Sequence, residues 1–235
     1  MLFYQPIDGY CYNSDTVFLY DFVDSFNPKG NLLDVGSGCG VLGLLVARDN
    51  NINLHQCEIQ EDFIFLSQKN SEVNQIESTL YRGSFLDVEF DKKFDTIVSN
   101  PPFWDSNVIQ TQNRAKNIAR YNSHLPIESF FQKVKKLLTN RGRFIFCYDS
   151  KQLQNVLLEL SKVNLNVESI KFIHPKREKE STIVFIQARN NSKSFAKILP
   201  AFYGFVDASQ SDEANRIYKK AKTHSIKCKI DCEIK

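Results

Sequence analysis

The stretch Asn31-Leu-Leu-Asp-Val-Gly-Ser-Gly-Cys-Gly40 decides the fold of this chain of 235 residues. Its first half, residues 31–35, is short and apolar and runs into a glycine-rich turn, which is typical of a buried β-strand. Residues 41–48 continue with the pattern of a helix that packs on this strand. A strand, a glycine turn and a helix in direct succession predict the first unit of an α/β sheet with a ligand site at its carboxyl edge.

The same alternation of strands and helices continues along most of the chain. Strands are predicted at 52–58, 80–82, 94–98 and 143–148, and helices at 61–73, 127–138 and 151–163. Residues 167–173 and 182–188 can pair as a closing antiparallel hairpin. Strands that alternate with helices predict an α/β protein with a mainly parallel, seven-stranded sheet that ends in this C-terminal hairpin.

Three stretches interrupt the alternation. Residues 1–30 precede the first predicted strand and are rich in aromatic side chains, and residues 104–125 form a long polar segment. A loop of that length in a compact domain usually carries a function. Residues 190–235 contain an apolar run at 198–206 and a helical stretch near 212–222, and they end in a basic tail.

The composition is that of a globular protein with little overall charge. Hydrophobic residues make up 42% of the chain, and 30 Lys and Arg against 27 Asp and Glu leave a net charge of +3. An anionic partner must therefore meet local basic patches. The six cysteines contain no C-x-x-C pair, so we expect free thiols and no metal site. Because we find neither a secretory signal nor an apolar run of about 18 residues, we expect a cytoplasmic protein without a membrane partner.

The spacing of the three glycines separates two kinds of cofactor site. Glycines let a ligand approach the backbone closely, and Glu58 ends the second predicted strand, where a carboxylate can hold ribose hydroxyls. A dinucleotide site would share these features, but its third glycine would fall at the position of Val41. Here the third glycine is Gly40, and an acidic residue, Asp34, stands two positions before the first glycine.

This arrangement resembles motif I of the class I S-adenosylmethionine (AdoMet) methyltransferases, which have a Rossmann-like fold. The resemblance implies that the loop glycines contact the methionine part of AdoMet, namely Gly36, Gly38 and Gly40. An acid such as Asp34 suits the cationic end of that cofactor and would repel a pyrophosphate. The resemblance also places Ile59 against the adenine ring and Asp87 at the adenine amino group. Both have a structural alternative, because Ile59 suits a core position and Asp87 a solvated turn.

The most specific motif is Ser99-Asn-Pro-Pro-Phe103, at the carboxyl end of the fourth predicted strand. It resembles the Asn-Pro-Pro-Tyr/Phe motif of methyltransferases that modify planar amino groups of adenine, guanine or a glutamine amide. The side-chain oxygen of Asn100 and the backbone carbonyl of Pro101 can each accept one N–H of such a group, and the prolines fix the backbone before the substrate arrives. Phe103 offers a flat face on which a base can stack.

The opening segment is similar to that of the bacterial tRNA adenine-N6-methyltransferase family, whose members act in the anticodon loop of a valine tRNA. Gly9-Tyr10 and Asp15-Thr16-Val17 match the segments that cap the cofactor pocket in that family. The resemblance implies AdoMet contacts for Asp15, Thr16 and Asn100, and it predicts methyl transfer from AdoMet to adenine N6 in tRNA. We divide the chain into a cap (1–30), a methyltransferase domain (31–222) and a basic tail (223–235), for which the resemblance implies no role.

RNA contacts are expected near the active-site motif and in one basic cluster further along the chain. The candidate residues are Phe103, Trp104, Arg114, Lys116, Arg120, Lys176 and Arg177. Basic side chains would neutralise the RNA backbone, and a single-stranded or loop adenine could be turned into the pocket. We expect the protein to be a monomer.

Three other functions share part of these motifs. Guanine-N2 methyltransferases of ribosomal RNA often carry Asn-Pro-Pro-Phe, but they usually have His at the position of Trp104 and a duplicated N-terminal domain. Glutamine methyltransferases of release factors have a helical domain before motif I, for which residues 1–30 are too few. A non-catalytic RNA-binding relative would need none of Asp34, Glu58 and Asn100.

Overall fold

A computed structural model of the chain describes residues 1–101, 126–207 and 209–230. The strands in these residues are β1 (Leu2–Pro6), β2 (Gly30–Val35), β3 (Ile52–Glu58), β4 (Ser78–Arg82), β5 (Phe94–Ser99), β6 (Leu138–Asp149), β7 (Leu165–Lys176), β8 (Ile183–Asn190), β9 (Lys197–Ile198), β10 (Phe202–Val206), β11 (Ser209–Gln210) and β12 (His224–Cys228). The helices are α1 (Ser14–Asp24), α2 (Val41–Asp49), α3 (Glu61–Val73), α4 (Ile127–Leu137), α5 (Leu153–Lys162) and α6 (Asp212–Ala221).

The predicted sheet is present and is wider than expected. Its central strands follow the order β4-β3-β2-β5-β6-β8-β7, in which β8 runs antiparallel to both of its neighbours and the other pairs are parallel. This confirms the α/β class, the mainly parallel sheet and the antiparallel hairpin, whereas the described sheet has ten strands instead of seven. The sheet then continues, because β10 adds to the outer side of β7 in parallel, β11 pairs with β10, and β9 also pairs with β7. These additions cover backbone groups that an edge strand would leave unpaired.

Helices cover both faces of the sheet, which explains why the central strands β2, β3 and β5 are buried on both faces along most of their length. Successive residues of a strand point to opposite faces. Leu32 and Cys147 therefore belong to the core beneath α1, α2 and α6, whereas Leu33 and Phe146 belong to the core beneath α4 and α5. No helix in the described part of the chain has both the length and the apolar character needed to cross a membrane.

The two ends of the chain meet in a way that sequence analysis did not predict. β1 and β12 form a separate two-stranded parallel sheet, in which Leu2 pairs with His224 and Pro6 with Cys228. The pairing anchors the segment between β1 and α1, which supplies part of the site described below. Residues more than 200 positions apart leave no local pattern from which this contact could be predicted.

Candidate active site

The glycine loop joins β2 to α2 in a backbone conformation that requires glycine. Gly38 and Gly40 have φ angles of +54° and +79°, in the left-handed region that glycine adopts without strain. A Cβ at Gly40 would lie 2.6 Å from Gln56 Oε1 and 2.8 Å from Ser67 Oγ, so a larger residue cannot fit. A Cβ at Gly36 or Gly38 would meet no atom within 4 Å, so this side of the loop borders open space in which a ligand can approach the backbone.

Asp34 is a buried carboxyl beside this loop. It is 1% exposed, and its Oδ2 accepts a hydrogen bond from the backbone N–H of Gly43 at 2.9 Å. Burial raises the pKa of Asp34 to about 7, and the nearby charge of Glu58 adds to the increase. Gly43 was missed in the sequence analysis, although its missing side chain lets α2 lie against Asp34 and Leu54. A carboxyl in this setting is suited to a cationic ligand, which would favour its ionised form.

Glu58 holds the glycine loop to the end of β3. Its Oε2 accepts from the Gly38 N–H at 2.9 Å, and its Oε1 accepts from the N–H groups of Ile59 and Gln60 at 2.8 and 2.9 Å. Burial raises the pKa of this carboxyl as well. The backbone bonds leave one lone pair on Oε2, so contact with a ribose hydroxyl remains a prediction for Glu58.

The two residues expected at the adenine lie on the surface. Ile59 is 46% exposed, so it is available to a ligand and the core alternative is wrong. Asp87 is exposed in a turn where its backbone N–H donates to Ser84 O at 2.9 Å. Their contacts with adenine stay predictions.

Asn100 follows β5 and is held through both ends of its carboxamide. Its Nδ2 donates to Thr16 Oγ1 at 3.2 Å, and the Cys147 thiol donates to its Oδ1 at 2.8 Å. Pro101 is buried directly after it. Thr16 lies in the first turn of α1, where Asn13 accepts hydrogen bonds from the backbone N–H groups of Asp15 and Thr16. Burial raises the pKa of Asp15, and its carboxylate accepts a hydrogen bond from the side-chain amide of Asn13.

One cavity connects the glycine loop with Asn100. Its described lining residues are Tyr10, Tyr12, Thr16, Asp34, Gly36, Ser37, Gly38, Cys39, Val41, Leu42, Phe63 and Asn100. The structure therefore brings together Asp34, Gly36, Gly38, Thr16 and Asn100, which were predicted from distant parts of the sequence. Gly40, Glu58, Ile59, Asp87, Asp15 and Pro101 are not among these lining residues. Sequence analysis missed Tyr12 and Phe63, which looked like ordinary aromatic residues of the cap and of α3.

The residues of this cavity fit AdoMet. Asp34 can accept a hydrogen bond from its ammonium group, and the open side of Gly36 and Gly38 leaves room for its methionine part. The Ser37 hydroxyl is buried without a hydrogen-bond partner in the described structure, so it is available to a polar ligand atom. Tyr10, Tyr12 and Phe63 supply aromatic walls.

The candidate RNA contacts divide into two groups. Phe103, Trp104, Arg114, Lys116 and Arg120 lie outside the described residues. Lys176 and Arg177 are exposed at the end of β7. That strand points in the same direction as β5, so both residues lie at the edge of the sheet where Asn100 is found.

Comparison with known proteins identifies the family of this chain. The profile of the methyltransferase small domain family matches residues 14–172. A tRNA1(Val) (adenine(37)-N6)-methyltransferase of Pedobacter heparinus is 30% identical over 170 residues, covering 71% of this chain and 72% of the relative. The enzyme of that name from Cytophaga hutchinsonii is 24% identical over 197 residues, covering 73% and 82%.

Solved structures show the same fold at low sequence identity. An Agrobacterium tumefaciens structure described as a predicted O-methyltransferase has a TM-score of 0.67 at 10% identity and covers 91% of this chain and 99% of its own. A methyltransferase from Pyrococcus furiosus has a TM-score of 0.60 at 15% identity and covers 80% and 88%. The fold and the cavity thus define a Rossmann-like, class I methyltransferase. The chain belongs to the methyltransferase small domain family and, within it, to the bacterial tRNA (adenine-N6)-methyltransferases, as its opening segment and two motifs predicted.

Proposed function

We propose that this protein transfers the methyl group of AdoMet to N6 of an adenine in a loop of tRNA. The observation that carries the proposal is the position of Asn100, whose carboxamide lines the same cavity as Asp34 and the glycine loop. The names of the relatives support adenine N6 and tRNA. They also make the anticodon loop of a valine tRNA the first substrate to test.

Each group of residues on the cofactor side of the cavity has a separate role. AdoMet, when bound, supplies a methyl group on a positively charged sulfur. Asp34 binds the ammonium group, and the Ser37 hydroxyl donates to a carboxylate oxygen of the methionine part. Tyr10, Tyr12 and Phe63 exclude water from the cavity, which strengthens the electrostatic interactions inside it.

Asn100 and Pro101 act on the target amine. The lone pair of an adenine amino group is delocalised into the ring, so the nitrogen is a poor nucleophile. Asn100 Oδ1 and the Pro101 carbonyl oxygen each accept one of its N–H bonds, which favours a tetrahedral nitrogen with its lone pair free for the methyl group. Fixed acceptors of this kind need no reorganisation during the reaction, and no strong base is required.

The RNA backbone meets Lys176 and Arg177 in this proposal. β7 lies three strands from β5, so a strand spacing of about 4.8 Å separates the two strands by roughly 14 Å across the sheet. Asn100 is level with Lys171 in the strand register, and Lys176 lies a further five residues, or about 16 Å, along the strand direction, so it is roughly 22 Å from Asn100. That separation matches phosphates a few nucleotides from the target base. Phe103 is proposed to stack the adenine, Trp104 to contact the RNA beside it, and Arg114, Lys116 and Arg120 to contact the nearby backbone.

The proposed location is the cytoplasm. Support comes from the tRNA substrate in the relatives' names and from the free state of Cys11, Cys39, Cys57, Cys147 and Cys228 in the described structure. The monomeric state stays a prediction.

Methyl transfer from labelled AdoMet into bulk bacterial tRNA and, separately, into ribosomal RNA tests the function. We expect N6-methyladenosine in tRNA alone. N2-methylguanosine in ribosomal RNA would refute the substrate while keeping the fold and cofactor. Asn100→Ala should abolish turnover and leave AdoMet affinity within about twofold, so wild-type turnover by this variant would refute the role of Asn100.

A further inference from the structure

Asn100, directly after β5, is held by side chains from two other elements. Thr16 comes from α1, and Cys147 comes from β6, the neighbour of β5. Ser99 pairs with Phe146, so Asn100 and Cys147 occupy the next matching positions along the two strands. The 3.2 Å and 2.8 Å contacts therefore bracket the carboxamide from its nitrogen side and its oxygen side.

The orientation of this carboxamide matters for the chemistry. The last torsion of an asparagine side chain is broad, so an unrestrained amide turns easily about it. A half-turn would direct the NH2 of Asn100, a donor, at an amine that needs an acceptor. The Thr16 hydroxyl lies on the nitrogen side of the carboxamide and the Cys147 thiol on its oxygen side. These two contacts distinguish the two orientations if the thiol acts as the donor.

The state of Cys147 supports that role. The residue is 0% exposed, and burial raises the pKa of its thiol well above the usual value, so the sulfur keeps its proton. A protonated thiol can donate to Asn100 Oδ1, but it is a weak donor. The amide oxygen therefore keeps its second lone pair and most of its strength as an acceptor.

We propose that Thr16 and Cys147 are positioning residues for methyl transfer, because they lock the Asn100 carboxamide with one lone pair of Oδ1 directed at the target amine. The inference rests on the proposed function, in which Asn100 receives that amine. Loss of the Cys147 thiol should lower kcat and leave AdoMet binding unchanged, because Cys147 is not among the described residues that line the cofactor cavity.

The test compares the full-length wild type with Cys147→Ala, Cys147→Ser and the matched control Cys57→Ala. Cys57 is also buried in the sheet, but its thiol contacts Gly83 O at 3.7 Å, so its loss removes a thiol of equal size away from Asn100. We expect Cys147→Ala to lower kcat about tenfold or more with the AdoMet Kd within about twofold. Cys147→Ser should restore kcat to within about threefold of wild type, and Cys57→Ala should keep it.

Two results would overturn the inference. One is an unchanged kcat in Cys147→Ala. The other is an equal loss of kcat in Cys147→Ala and Cys57→Ala that parallels the fall in their melting temperatures. If Cys147→Ala does not fold, Thr16→Val and Thr16→Ser decide, because valine removes the hydroxyl at similar volume and serine keeps it. Equal kcat values for these two variants would also overturn the inference. Asn100→Ala in the same assay separates the hypotheses, since an inactive Asn100→Ala with a fully active Cys147→Ala refutes only the positioning role.

Discussion

The protonation of Asp34 should couple cofactor binding to pH. The carboxyl is buried in the ligand-free protein with a pKa raised to about 7, whereas a bound ammonium group requires its ionised form. Binding should therefore release a proton from Asp34 near neutral pH. The ammonium of the cofactor resembles an α-amino group with a pKa of about 7.7–8.0, so it stays charged below pH 7 and does not obscure the effect.

The size of the effect follows from that pKa. The ionised fraction of Asp34 is about one in eleven at pH 6 and about one half at pH 7. The Kd for AdoMet should therefore be about fivefold larger at pH 6 than at pH 7, and about fiftyfold larger at pH 5. About half a proton should be released per cofactor bound at pH 7.

Calorimetry in two buffers of different ionisation enthalpy measures both quantities. The control is Asp34→Asn, whose amide oxygen can still accept from the Gly43 N–H while its charge is absent. This variant should bind AdoMet at least about tenfold more weakly, since it lacks a buried charge pair, and without the pH dependence. The reasoning fails if the wild-type Kd is equal at pH 6 and pH 7, or if Asp34→Asn keeps the same dependence.

The same carboxyl should affect the stability of the ligand-free protein. Its folded pKa of about 7 lies above the reference value of 3.8, so the folded state binds the proton more tightly. Its contribution to stability is fully present below pH 3.8 and is lost as the pH rises through 7. The melting temperature of Asp34→Asn minus that of wild type should therefore become larger as the pH rises from 3.8 through 7. A difference that does not change with pH would contradict the raised pKa of Asp34.

Three further predictions concern other parts of the molecule. His55 is 4% exposed with both ring nitrogens unpartnered in the described structure, so His55→Leu should raise the melting temperature by about 2–4 °C. Burial lowers the pKa of His55 below 6.5, so this gain should grow as the pH falls below that value, as calorimetric scans can show. Ser225 bonds the hydroxyl of Tyr12 at 3.0 Å, so Ser225→Ala should weaken AdoMet binding about two- to fivefold in titrations if β12 holds the cap, and an unchanged Kd would refute this. The double variant Lys176→Ala with Arg177→Ala should raise the KM for tRNA without changing the AdoMet Kd. It should also reduce the slope of log KM against log salt concentration by the equivalent of about two phosphate contacts, and an unchanged slope would contradict the proposed backbone contact.

Local patterns in the sequence predicted much of the fold and the centre of the site. The predicted helix at 61–73 matches α3, and the other central helices and strands were placed within a few residues. Asp34, the glycine loop and Asn100 could be predicted because each lies at the carboxyl end of a short buried strand or directly after it. The carboxyl ends of parallel strands meet at one edge, so such residues lie close together whenever the sheet forms.

Contacts between distant segments could not be predicted in this way. Gly43, Tyr12 and Cys147 have no distinguishing neighbours in the sequence, and their roles depend on what packs against them in space. The carboxylate of Glu58 was predicted to hold ribose, yet three backbone N–H groups occupy most of its acceptor capacity.

The sequence by itself therefore determined the class of sheet, the glycine turn and the asparagine at the end of β5, since each depends on residues adjacent in the chain. Only the tertiary structure decided that β12 anchors the cap, that Asp34 is buried enough to titrate near neutral pH, and that a threonine and a cysteine bracket Asn100. Burial and side-chain contact arise from packing between elements far apart in the chain, and no spacing within a single segment encodes them.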